Sequence, residues 1–192
     1  MKSTTSYLAI TVSAVSLAAS SATAGDFYLG ATAGAMTYDY SEFGPAISEE
    51  KTTFGGLLGW RTPYQNFFYG IEGDFSIPLN VAVPNDSSCG SGFAVCQFHG
   101  DVRLRAIAGY SLNDFDLFAG VGGAYAMMRD NAGNDFSVSG ISYNVGVNYH
   151  INNKMALRLE GVNDNYGDFA TPHGKSASWN STTIRAAAVY SF

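Results

Sequence analysis

The stretch FHGDVRLRAIAGYSL, residues 98–112, decides the fold, because its apolar residues recur at every second position. Phe98, Gly100, Val102, Leu104, Ala106, Ala108, Tyr110 and Leu112 share one face, while His99, Asp101, Arg103, Arg105, Ile107, Gly109 and Ser111 share the other. A period of two belongs to a β-strand whose two faces meet different surroundings, and no helical spacing fits it. Residues 141–151 repeat the pattern, with Ile141, Tyr143, Val145, Val147, Tyr149 and Ile151 opposed by Ser142, Asn144, Gly146, Asn148 and His150.

Outward from these two segments, the same spacing predicts eight strands, at residues 27–40, 52–61, 67–80, 98–112, 115–130, 137–151, 155–167 and 181–192. Each is long enough to cross a bilayer as a tilted strand, which takes about 9 to 11 residues. The connections TPYQN, ND and NNK are short, whereas residues 41–51, 81–97, 131–136 and 168–180 are mostly longer and polar. Short turns on one side and long loops on the other is the asymmetry of barrels that span an outer membrane, with the short turns periplasmic. Aromatic residues stand near strand ends: Trp60, Phe67, Tyr110, Phe115, Tyr149, Tyr190 and Phe192 toward the short turns, and Phe75, Phe98 and Tyr125 toward the long loops. Such positions make two interfacial girdles.

The first 24 residues read as a cleavable secretory signal, domain 1–24: a cationic start at Lys2, an apolar stretch of 13 residues from Tyr7 to Ala19, and Ala22-Thr23-Ala24 before Gly25. Cleavage is expected between Ala24 and Gly25, leaving residues 25–192 as one barrel domain. No later segment holds 18 consecutive apolar residues, so a membrane-spanning mature chain has to cross with strands closed into a barrel. The mature part carries nine Lys and Arg against sixteen Asp and Glu, which argues against nucleic acid as a partner. Cys89 and Cys96 enclose six residues of a Ser- and Gly-rich segment, and export favours a disulfide between them. A metal pair completed by His99 is the rival reading, short of the four ligands that structural zinc takes.

The last strand, STTIRAAAVYSF, alternates Ile184, Ala186, Ala188 and Tyr190 and ends on Phe192. It resembles the C-terminal signal that outer-membrane proteins present to their assembly machinery. With FYLGATAG after the signal peptide, the mature chain is similar to the small eight-stranded barrel family that contains the transmembrane domain of outer-membrane protein A and the opacity-type surface proteins. The resemblance implies an all-β, antiparallel up-and-down barrel in the bacterial outer membrane. It also implies Tyr190 and Phe192 as assembly signal, and outer-membrane lipid, lipopolysaccharide and the assembly machinery as partners. The peptidoglycan-binding domain that members of the protein A group often carry has no counterpart here, so wall tethering is not carried over.

With the apolar faces outward, the charges turn inward: Glu72, Asp74, Asp101, Arg103, Arg105, Arg158, Glu160 and Arg185. They read either as the lining of a narrow pore or as paired ions that plug it. An eight-stranded interior is just wide enough for side chains to fill, which favours the plug. The protein A barrel, whose interior holds such ion pairs, points the same way by resemblance.

An acyl-transferring or hydrolytic enzyme acting on lipid A needs a nucleophile beside a base, and His99, His150 and His173 show no triad spacing. Neither GATAG at 30–34 nor AGVGGAY at 119–125 opens a helix, so neither is a phosphate loop. The expectation is therefore a non-catalytic barrel without cofactor or metal, which presents outer loops to surface ligands. A porin-like channel is the alternative, and a soluble lipocalin-like binder, with apolar residues inside, is the further rival.

Overall fold

Alternating side chains on long strands leave a chain little choice but to pair its backbone with neighbours on both sides. The computed structural model describes residues 25–41, 47–79, 97–129, 134–170 and 176–192, and shows this pairing carried to closure. The strands are β1 (Asp26–Ser41), β2 (Ile47–Tyr64), β3 (Phe67–Pro78), β4 (Gln97–Leu112), β5 (Phe115–Arg129), β6 (Asp135–His150), β7 (Met155–Ala170) and β8 (Ser176–Ser191). Each pairs antiparallel with the next, and β8 returns to β1, so that no edge is left open.

The three short connections follow turn chemistry. Gln65 and Asn113 take positive φ, 56° and 52°, in the β2–β3 and β4–β5 hairpins. In the β6–β7 turn the Asn152 side-chain oxygen accepts from the backbone N–H of Lys154 and of Met155, at 2.9 and 3.0 Å.

Leu58, Leu104, Val145 and Ile184 are each more than 60% exposed, while Glu72, Arg103, Arg105 and Glu160 are 2% exposed or less. That is apolar outside and charged inside, the reverse of a lipocalin-like binder. The inside is layered. Toward the long-loop end, Met36, Phe98, Met128, Val138, Tyr166 and Trp179 form an apolar layer, with Tyr38 stacked on Trp179 at 4.5 Å between ring centroids. Toward the short turns, Tyr28, Leu57, Phe68, Ile107, Phe118 and Val189 form a second. Between the two lie the charges.

Three sequence expectations are corrected. Residues 47–51 and 176–180, read as loop, are strand, with Tyr40 paired to Ile47 and Ala170 to Ser176. Backbone pairing continues past the edge of the apolar belt, where outward residues need not be apolar, so a search for apolar alternation stops short. Trp179 therefore sits in the interior rather than in an outer loop.

The third correction concerns Phe98, expected in the outer girdle with His99 facing the lumen. The β4–β5 register shifts between Phe98 and Gly100, a β-bulge that places one extra residue in β4 and reverses which face precedes it. Phe98 turns inward, 9% exposed, and stacks on Trp179 at 5.8 Å. Gly100 makes this turn at φ 146°, and a Cβ there would lie 2.6 Å from the Ser76 carbonyl oxygen.

Candidate functional site

Register and handedness of the faces bring all eight sequence-selected charges into one cluster at mid-depth. Glu72 faces Arg105 and Asp74 faces Arg103 across the β3–β4 ladder, and Glu160 faces Arg185 across β7–β8. Other pairs cross the lumen. Arg158 Nη1 donates to Glu72 at 2.5 Å, and Arg185 Nη1 donates to Asp74 at 2.6 Å. Arg105 Nη2 reaches Asp74, Glu72 and Glu160 together. Arg103 binds Asp101 at 2.8 Å and Asp74 at 3.0 Å.

The cluster also recruits groups that the sequence reading missed. Asp164 on β7, fully buried, takes Arg103 Nε and Nη2 in a fork at 2.7–3.0 Å, the bidentate geometry that suits a guanidinium. Tyr28 on β1 donates its hydroxyl to Glu72 at 2.8 Å, and Arg158 lies over the Phe118 ring, 4.5 Å from its centroid. Gly59 makes room for Tyr28, since a Cβ there would lie 2.2 Å from its ring. Continuing the inward row Arg158, Glu160 and Val162 by one step reaches Asp164, so its signal was present in the alternation. Five carboxylates, Glu72, Asp74, Asp101, Glu160 and Asp164, thus face four guanidiniums among the described residues.

A second cluster closes the short-turn end. Asp116 accepts from Arg61 Nη1 at Oδ2 and from Ser111 Oγ at Oδ1, each at 2.7 Å, and His150 Nε2 lies 2.7 Å from the same Oδ2 that Arg61 reaches. A serine nucleophile needs an imidazole to take its proton, and here the carboxylate stands between the two. The set holds the turn ends together and lacks the order that activates Ser111. His99 lies far along β4 from this cluster, on the outer rim.

At the C-terminus, Phe192 donates its backbone N–H to the Phe27 carbonyl at 3.0 Å, and its ring packs edge-on against Tyr190 at 5.3 Å. Ala24, Cys89, Cys96 and His173 lie outside the described residues, and Gly25 is the first residue described.

Against known proteins, the family described as "Outer membrane protein beta-barrel domain" matches residues 7–192. The chain belongs to that family. Neisserial surface protein A, a solved barrel, superposes with a TM-score of 0.56 at 14% identity, over 86% of this chain and 97% of the other. The outer membrane protein OprG from Pseudomonas aeruginosa does so at 0.51 and 10% identity, over 88% and 97%. At these identities the likeness is one of fold. No curated protein matches the chain in sequence. As a member of the outer-membrane barrel family it is a bacterial outer-membrane protein, and its exposed leucines, valines and isoleucines face lipid.

Proposed function

We propose that this chain is a closed, non-catalytic barrel that contributes to envelope structure and presents its outer loops for surface interactions. The observation that carries the reading is the packing of the lumen. Arg103, Arg105, Glu72, Asp74 and Glu160 have side chains 0% exposed, each is engaged by an opposite charge, and apolar layers lie above and below them. Conduction needs a continuous aqueous path with groups that bind an ion weakly enough to release it, and mutually neutralised ions offer neither.

Its partners in this reading are outer-membrane lipid and lipopolysaccharide around the belt, the assembly machinery at Tyr190 and Phe192, and a surface ligand at the loops. The deciding experiment is single-channel recording of refolded residues 25–192 in planar bilayers, after a heat-modifiable gel shift has shown a folded barrel. A folded, inserted and silent protein is the expected result. Stable discrete openings would replace the closed barrel with a narrow ion channel lined by Arg103, Arg105, Arg158 and Arg185.

A further inference from the structure

The outer wall is apolar to very different heights on opposite sides of the barrel. Its lower edge is level, because Phe67, Phe115, Met155 and Tyr190 all stand outward beside the short turns or the C-terminus. From that edge the outward rows of β3 and β5 carry no polar break up to Leu79 and Met127, 58% and 41% exposed. On β7 and β8 the apolar rows end at Gly161 and Ile184. The next outward residues are Asn163 and Asn165 on β7, and Thr182 and Asn180 on β8. In a strand tilted near 40° each residue adds roughly 2.5 Å of height, so the apolar wall is about 30 Å tall on β3 and β5 and about 15 Å tall on β7 and β8. The hydrocarbon belt of such barrels is about 25 Å tall, so one side fills it and the other falls short.

The polar side chains are fixed in the wall at that level. Asn163 pairs with Tyr143 and Asn165 with Ile141, both exposed on β6, so amides and apolar groups stand side by side across one ladder. Asn163 Nδ2 donates to Thr182 Oγ1 at 3.0 Å, which joins the two strands in one polar face. That face continues upward without an apolar interruption, since Asn165 pairs with Asn180 and Asn180 with the exposed Asp39. A polar row open to the rim is continuous with water and lipid headgroups. Amides and hydroxyls held in hydrocarbon would lose their hydrogen bonds to water, whereas a bilayer that thins beside a short apolar wall meets only a modest cost.

We propose that the β7–β8 wall holds the outer leaflet thin, drawing headgroups and water down to Asn163 and Thr182, while the β3–β5 wall stays in hydrocarbon of full depth. The partner is the lipid surface, and the barrel acts on it as a one-sided wedge. Lipids with short acyl chains fit the β7–β8 side and longer ones the opposite side. The inference needs the chain to span the membrane with its long loops outward, and it stands whether or not the lumen conducts.

The test places nitroxide labels on single cysteines in the mature barrel, with Cys89 and Cys96 changed to serine. Each variant is reconstituted in dioleoylphosphatidylcholine vesicles after a heat-modifiable gel shift has shown it folded. Asn163→Cys and Thr182→Cys are compared with Ile77→Cys and Val102→Cys, outward residues at about the same height on the other side. Electron paramagnetic resonance then reads collisions with oxygen, which concentrates in hydrocarbon, and with a water-soluble nickel chelate. Chelate collisions are expected to be several-fold more frequent, and oxygen collisions fewer, at positions 163 and 182. Oxygen-dominated collisions at all four positions would overturn the wedge. Protection from both reagents at 163 and 182 would mean that another copy of the chain covers this wall, and would overturn it as well. A second readout uses Asn163→Leu with Thr182→Leu, which extends the apolar wall. On passing from dilauroyl- to dioleoylphosphatidylcholine vesicles, the parent should lose more of its urea unfolding midpoint than this variant; equal losses would count against the proposal.

Discussion

Arg103 on β4 and Asp164 on β7 face each other across the barrel interior, joined by Nε and Nη2 contacts of 2.7–3.0 Å, with both side chains 0% exposed. The pair ties two strands that are not neighbours in the wall. Removing Arg103 leaves the buried Asp164 and Asp101 carboxylates unanswered, and breaking a buried pair in this way costs on the order of 3 to 5 kcal/mol. Arg103→Met is therefore expected to lower the midpoint of urea unfolding in lipid vesicles substantially. Asp164→Leu is expected to cost less, because Arg103 keeps Asp101 and Asp74. A larger loss in Asp164→Leu than in Arg103→Met would contradict this account of the pair.

Arg158→Ala and Arg185→Ala remove guanidiniums that cross to Glu72 and Asp74 on the opposite wall. Both variants should be less stable, and both should show bilayer conductance above the parent as water enters the vacated space. Parental conductance together with parental stability in the two variants would rule out the plugging role.

Trp179 is 2% exposed and packs between Tyr38 and Phe98 in the layer nearest the loops. Trp179→Ala should cost about 3 to 5 kcal/mol, the usual range for truncating a buried aromatic residue. Its effect would be read as a lower unfolding midpoint; an unchanged midpoint would place the ring outside the load-carrying interior.

Leu104 stands 63% exposed on the outward face at mid-strand. Leu104→Arg puts a charge against acyl chains near the bilayer midplane, at a cost of roughly 2 to 4 kcal/mol. The comparison is Thr37→Arg, on the outward face close to the loop end of β1, where the same charge should cost about 0 to 1 kcal/mol. A water-facing outer wall would make the two substitutions equally mild.

Gly100 holds φ 146° at the bulge, a backbone region that residues with a Cβ seldom enter, and the Ser76 carbonyl crowds the space beside it. Gly100→Ala should destabilise by about 1 to 3 kcal/mol. The accompanying change in Trp179 fluorescence would report that Phe98 has left its stack, and an unchanged spectrum would mean that the bulge survives without glycine.

Strand number, the short turns and the inward charges were all legible in the sequence, because lipid outside and ions inside impose opposite chemistry on alternate residues. Legibility failed where that contrast fades. Beyond the apolar belt, in residues 47–51 and 176–180, the outward face turns polar, and in 176–180 the apolar residues Ala177 and Trp179 point inward instead, so a search for outward apolar alternation stops although the ladder goes on. Phe98 and His99 were placed on the wrong faces because one inserted residue inverts parity without leaving a mark in composition. Asp116 was missed for another reason: its importance comes from Arg61, Ser111 and His150, on strands that only closure of the barrel brings near.

The distribution of the interior ions over several strands sets a constraint on biogenesis. A strand such as β7 carries Arg158, Glu160 and Asp164, whose charged partners stand on β3, β4 and β8. The β7–β8 hairpin alone answers Glu160, through Arg185, and leaves Arg158 and Asp164 without an opposite charge until β3 and β4 close the wall around them.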